Sequence, residues 1–113
     1  MKIVGDFAYI TGETVLFNEG YINQSPKEIT MVSRRSRRYI VGDKRYRSRQ
    51  LKDEFLFNDI GIVNIGGVYI ATPARAIADT LYFNPQKHFD APVDWTAVQD
   101  IASKVGYNIP IPK

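Results

Sequence analysis

The spacing of apolar and polar positions changes several times along the chain, and each change marks an element. Glu28-Ile29-Thr30-Met31-Val32-Ser33 alternates with Ile29 and Met31 on one side, which predicts a strand. Tyr39-Ile40-Val41 and Lys44-Arg45-Tyr46-Arg47-Ser48-Arg49 are extended runs flanking Gly42-Asp43, a pair suited to a type II′ hairpin turn. In the second arm Lys44, Tyr46 and Ser48 share one face, and Arg45, Arg47 and Arg49 share the other, about 7 Å apart. Leu51-Lys52-Asp53-Glu54-Phe55-Leu56-Phe57 reads as either a strand or an irregular edge. Gly61-Ile62-Val63-Asn64-Ile65 and Val68-Tyr69-Ile70-Ala71, joined by Gly66-Gly67, predict a second hairpin. Its β-branched, mostly apolar composition predicts a central place in the sheet.

Three helices fit the remaining pattern. The first covers about 12–19, with Thr11 as N-cap, Glu13 in the first turn and Gly20 just past the end. The second opens at Thr72, with Pro73 at its first position where a missing N–H costs nothing, and ends at Asn84-Pro85. Ile77, Leu81 and Ala74 make its expected buried stripe. Arg75 and Asp79 are four apart and are expected as a surface pair worth about 0.2–0.5 kcal/mol. The third helix runs from Trp95 to Val105, capped by Asp94 and stopped by Gly106, with Val98, Ile101 and Ala102 on one face. A loop over 85–92 and an extended tail from 109 complete the chain. Strands followed by helices predict an α+β fold: a mostly antiparallel β-sheet with helices packed on one face.

At 113 residues and 44% hydrophobic, the chain suits a single domain over 1–113 with its own core. The absence of cysteine excludes a disulfide framework and any Cys-containing zinc site. Met1-Lys2-Ile3-Val4-Gly5-Asp6 does not read as a signal peptide, and no apolar run reaches the roughly 20 residues of a spanning helix. A cytoplasmic protein without a membrane partner is expected.

Charge changes the picture more. Arg34, Arg35, Arg37, Arg38, Lys44, Arg45, Arg47, Arg49 and Lys52 lie in one segment with a single acid, Asp43, for a local charge of +8, while the rest of the chain carries −5. Such density attracts polyanions. Seven of the nine are arginine, whose planar fork grips phosphate or carboxylate at two points, whereas lysine would suffice for a merely solvated face. Tyr39 and Tyr46 could stack on bases, but packing within the sheet is the favoured reading.

Catalytic patterns are sparse. His88, the single histidine, sits in a polar loop beside Lys87. The glycines of Gly61-Ile62-Val63-Asn64-Ile65-Gly66-Gly67 lack the Gly-Lys-Ser/Thr ending of a phosphate loop. Asp53-Glu54 could be half of a nuclease metal site, but one adjacent pair more often ends an exposed turn. No enzyme activity, metal or other cofactor is expected.

Two stretches resemble a known family. Tyr9-Ile10-Thr11-x-Glu13-Thr14-Val15-Leu16, followed by Lys27-Glu28-Ile29-Thr30-Met31-Val32-Ser33-Arg34-Arg35, resembles the C-terminal domain of AbiEi-like antitoxins. The closer likeness is Gly67-Val68-Tyr69-Ile70-Ala71-Thr72-Pro73-Ala74-Arg75-Ala76-Ile77-Ala78-Asp79-Thr80-Leu81-Tyr82, which is similar to the family's strand, Thr/Ser-Pro and helix element. Together the matches span about residues 9–84. The resemblance implies a transcriptional regulator of a type IV toxin–antitoxin or abortive-infection system, binding DNA at its own promoter and countering a nucleotidyltransferase-type toxin. Ala74 stands where the family pattern carries an acid. Members normally carry an N-terminal winged helix-turn-helix, and only eight residues precede the shared region here. The reading helix would then lie on a separate chain, or this is a truncated or stand-alone relative. The family's basic surface maps onto Arg34, Arg35, Arg37, Arg38, Arg45, Arg47 and Arg49.

Two functions follow as expectations. One is a nucleic-acid-binding regulatory domain that contacts DNA, or another nucleic acid, through Arg34, Arg35, Arg37, Arg38, Lys44, Arg45, Arg47 and Arg49. The other is a protein-interaction module whose arginines dock a toxin or other acidic partner.

Overall fold

The computed structural model describes residues 7–111. The signal-peptide reading of residues 1–6 and the last two residues of the tail lie outside them. In chain order the elements are β1 (Tyr9–Ile10), α1 (Glu13–Asn18), β2 (Ile29–Ser33), β3 (Arg37–Val41) and β4 (Lys44–Gln50). There follow α2 (Asp53–Leu56), β5 (Ile62–Ile65), β6 (Val68–Ala71), α3 (Pro73–Phe83) and α4 (Trp95–Val105). The strands form one six-stranded sheet in the order β3-β4-β2-β1-β6-β5. Pairings β1/β2, β3/β4 and β5/β6 are antiparallel, and β1/β6 and β2/β4 are parallel. The expected α+β class holds, with a mixed, mostly antiparallel sheet.

Period-two geometry gives the sheet two unlike faces. Tyr9, Val32 and Ala71 point to the side where Leu16, Ile77, Leu81, Val98 and Ala102 close the core, and all of these are buried. The register puts Ile10, Met31, Val63, Ile65, Val68 and Ile70 on the opposite side, where they are half-buried or exposed. Both predicted hairpin turns form. Gly42 has φ 64° with no positive φ at Asp43, as a type II′ turn requires, and Gly66 and Gly67 are both positive, as in type I′. Thr72 and Asp94 cap α3 and α4 through their side chains, accepting from the N–H groups of Arg75 and Ala97.

Four expectations are corrected. The Gly66-Gly67 hairpin is not central, because β6 pairs with the two-residue β1, and β5 is left as an outer strand with Val63 and Ile65 exposed. Residues 51–57 contain neither a strand nor an irregular edge but a single helical turn, α2. Thr11 does not cap α1. Gly12 takes the N-cap position, and the helix N–H of Thr14 is met instead by the Thr30 hydroxyl from β2. The fourth correction, at Arg75 and Asp79, bears on the site.

β4 lies between β2 and β3, so the chain must pass over the end of β4 within Arg34–Ser36. Serines make this arch possible. The Ser33 and Ser48 hydroxyls bond each other and the Arg35 carbonyl, and Ser36 Oγ accepts from the Gln50 N–H. The hydroxyls of Ser33, Ser36 and Ser48 thereby all have partners in the crossing.

Candidate nucleic-acid interface and a buried ionic node

The basic segment does not form one stripe. Pairing of β3 with β4 sets Arg38 opposite Arg47 and Ile40 opposite Arg45, and pairing of β4 with β2 sets Arg47 beside Thr30 and Arg49 beside Val32. Arg38, Arg45, Arg47 and Arg49 therefore share the helix-bearing side of the sheet. The expected row of Arg45, Arg47 and Arg49 is present, and Arg38 joins it. Arg37 and Lys44 pair with Ser48 and Val41, so they lie on the other side. Arg34 and Arg35 belong to the arch, and Lys52 precedes α2. The eight candidate residues are thus divided between two faces and a loop.

Partners divide them further. Arg34 is ion-paired with Asp53 and Arg38 with Glu28, each at 3.2 Å. Among the described residues, no carboxylate lies within ion-pair distance of Arg45, Arg47 or Arg49. Tyr39 and Tyr46 are not offered to a ligand as a free platform. Their rings stack on each other across the strands at 5.2 Å, and the Tyr39 hydroxyl donates to Met31 Sδ. The guanidinium of Arg37 lies over the Tyr39 ring on that same side.

The inner end of the arginine row opens into a cleft of about 170 Å³. Arg47 and Arg49 line its floor. Glu13 stands at the start of α1, Phe83 and Asn84 at the end of α3, and Lys87 in the following loop. The volume is below the roughly 300–1,000 Å³ of drug-sized ligand sites. Arg49 packs its guanidinium over the Phe83 ring at 4.7 Å. Partial burial lowers the pKa of Arg49 from its ordinary value, the charge of Arg47 lowers it further, and Glu13 opposes both. An anion seated between the two arginines would relieve that repulsion.

Beneath the cleft lies a group the sequence reading placed wrongly. Arg75 and Asp79 are not a surface pair, since both are 0% exposed. Arg75 Nε donates to Asp79 Oδ1 at 3.1 Å, and its remaining four N–H groups reach the carbonyls of Phe55, Asn58 and Ile60 and the Tyr9 hydroxyl, at 2.7–3.0 Å. All five guanidinium donors are used. Asp79 also accepts from the hydroxyls of Tyr9, Thr11 and Tyr107. Burial and the neighbouring Asp79 carboxylate push the pKa values of Tyr9 and Tyr107 well above the ordinary tyrosine value, so both stay protonated donors. Burial, the largest influence, lowers the pKa of Arg75, but Asp79, Tyr9 and Tyr107 together outweigh it and the net shift is upward.

A signal for this burial was present in the sequence. Apart from the pair, α3 is built almost wholly from apolar or small residues, including Ala74, Ala76 and Ala78. A helix with no polar face offers an ionic pair nowhere to meet water. The parts contributed by Tyr9, Thr11 and Tyr107 had no such signal, because they meet Asp79 from 28 to 70 residues away. Phe83 and Lys87 were missed for the same reason.

Among the described residues, no group of three or more His, Asp or Glu side chains is gathered that could hold a metal ion. His88 is exposed in its loop. Asp53 and Glu54 open α2, with Asp53 paired to Arg34. No helix of the described residues is long and apolar enough to cross a membrane. Comparison of the chain with protein-family models, with curated proteins and with solved structures gave no match.

Proposed function

We propose that this chain is a nucleic-acid-binding regulatory domain, with no reaction of its own, that holds backbone phosphates along Arg38, Arg45, Arg47 and Arg49. The carrying observation is the register of β2, β3 and β4, which lines these four side chains up on one face of the sheet. The cleft adds Lys87 at the inner end, where one phosphate would sit between Arg47 and Arg49. Phosphate contact supplies affinity and orientation but little sequence information. The chain should therefore discriminate weakly among sequences. The antitoxin-like role and a nucleotidyltransferase-type toxin as partner follow from the motif resemblance, and they are compatible with this surface.

Duplex DNA binding measured by fluorescence anisotropy across a salt series tests the reading. Three phosphates, one of them shared by Arg47 and Arg49, correspond to a log–log slope of about −2.7, and changing Arg45, Arg47 and Arg49 to alanine should make it shallower by about 1.8. Salt-independent affinity, or a triple variant that binds as the parent does, removes the reading. Capture of an acidic protein without any DNA binding would replace it with the docking alternative.

A further inference from the structure

Both outer strands of the sheet expose apolar side chains, Ile40 at 67% and Val41 at 58% on β3, but they differ in charge. β3 carries Arg37 and Arg38, the kind of charged edge that resists pairing with another chain. β5 reads Ile-Val-Asn-Ile, and residues 60–74 hold no charged side chain at all. Around β5, Ile65 is 61% exposed, with Val68 at 47%, Val63 at 41% and Ile60 at 38%. No proline, bulge or lysine blunts this edge among the described residues.

Among the described residues, no strand pairs with the outer side of β5. Gly61, Val63 and Ile65 face Thr72, Ile70 and Val68 across the hairpin, and the Thr72 N–H donates to the Gly61 carbonyl. Ladder alternation then turns the polar groups of Ile62 and Asn64 outward. The Ile62 N–H is satisfied by the Asp59 carbonyl. The N–H and carbonyl of Asn64, aimed away from the sheet, meet no other strand among the described residues.

We propose that two copies of this chain join through β5, pairing antiparallel about a two-fold axis at Asn64, into one twelve-stranded sheet. The charge distribution selects a second copy as the occupant. The segment carrying +8 lies at the far end of the sheet, so two copies that met there would repel, whereas at β5 each brings an uncharged surface to its like. A two-fold axis supplies an antiparallel strand automatically, and the contact closes at two chains. The exposed sides of Val63, Ile65 and Val68 then continue from one copy into the next, enlarging a contact that strand pairing alone would leave small. The basic rows end up at the two outer ends of the assembly.

Sedimentation equilibrium from micromolar to sub-millimolar concentration tests this on the full chain. The parent should approach twice 12.9 kDa. Ile65→Lys, and separately Asn64→Pro, should return the chain to 12.9 kDa with an unchanged far-ultraviolet circular dichroism spectrum. A proline is tolerated where the strand N–H points outward. Val41→Lys, on the opposite outer strand, should leave the double mass intact. A parent that stays at single mass throughout overturns the proposal. So do a double mass that survives both β5 variants, and open-ended assembly beyond two chains. Single mass in the parent with unfolding in Ile65→Lys would mean that the chain itself depends on that surface, and this too overturns it. None of these outcomes depends on DNA binding.

Discussion

Changing Asp79 to alanine should be among the most damaging single substitutions in this protein. The carboxylate accepts from Arg75 Nε and from the hydroxyls of Tyr9, Thr11 and Tyr107. Removing it leaves a guanidinium that is 0% exposed without its counter-ion. Breaking a buried pair from one side costs about 3–5 kcal/mol. The hydroxyls of Tyr9, Thr11 and Tyr107 lose their acceptor as well, at about 1 kcal/mol or more each before relaxation. These costs share one site and do not add in full, so about 4–6 kcal/mol is expected. That is a large part of the roughly 5–15 kcal/mol that holds a domain of this size. Urea unfolding followed by circular dichroism and by the fluorescence of Trp95 measures it. A cycle with Arg75→Met and the double variant Arg75→Met/Asp79→Leu isolates the coupling. The double variant should be more stable than the sum of its singles predicts by about 1–3 kcal/mol. An exposed i,i+4 pair would cost only about 0.5 kcal/mol. A loss below about 1.5 kcal/mol, between these limits, would refute the buried ionic node.

Other perturbations test separate parts of the fold. A Cβ on Gly61, whose φ is +75°, would stand 2.8 Å from Arg75 Cβ and 3.0 Å from Ile101 Cδ1. Gly61→Ala should therefore destabilise by about 2–4 kcal/mol in the same urea assay, from left-handed strain plus overpacking; a loss under about 1 kcal/mol contradicts the close approach. Thr30→Val removes the hydroxyl that meets the Thr14 N–H at the start of α1, and should cost about 1–2 kcal/mol; hydrogen exchange should show α1 opening first, and an unchanged exchange pattern speaks against capping from β2. Tyr9 and Tyr107 have folded pKa values raised above the unfolded value of about 10, so their contribution is complete below that pH and is lost as pH rises beyond it. Each should steepen the alkaline fall in stability by about 1.4 kcal/mol per pH unit; unfolding curves above pH of about 10 should flatten in Tyr107→Phe, and an unaltered slope would mean that this hydroxyl is not held protonated.

Local chemistry was legible in the amino-acid order wherever the deciding atoms are close along the chain. The hairpin at Gly42-Asp43 follows from one permissive residue, and the ends of α3 and α4 follow from Thr72, Asp94 and Gly106. The alternation in β4 set Arg45, Arg47 and Arg49 on one side before any neighbour was known. The class, strands covered by helices on one face, follows from the same patterns. Tertiary structure decided everything that depends on which strand lies beside which. Only the order β3-β4-β2-β1-β6-β5 adds Arg38 to the arginine row, sends Arg37 and Lys44 to the other side, and makes β5 an edge. Only the folded chain brings Tyr9, Thr11 and Tyr107 around Asp79, turning a weak surface pair into a buried node. The reason is one of range: caps, turns and period act over a few residues, whereas desolvation and ion pairing depend on what the whole chain packs against a side chain.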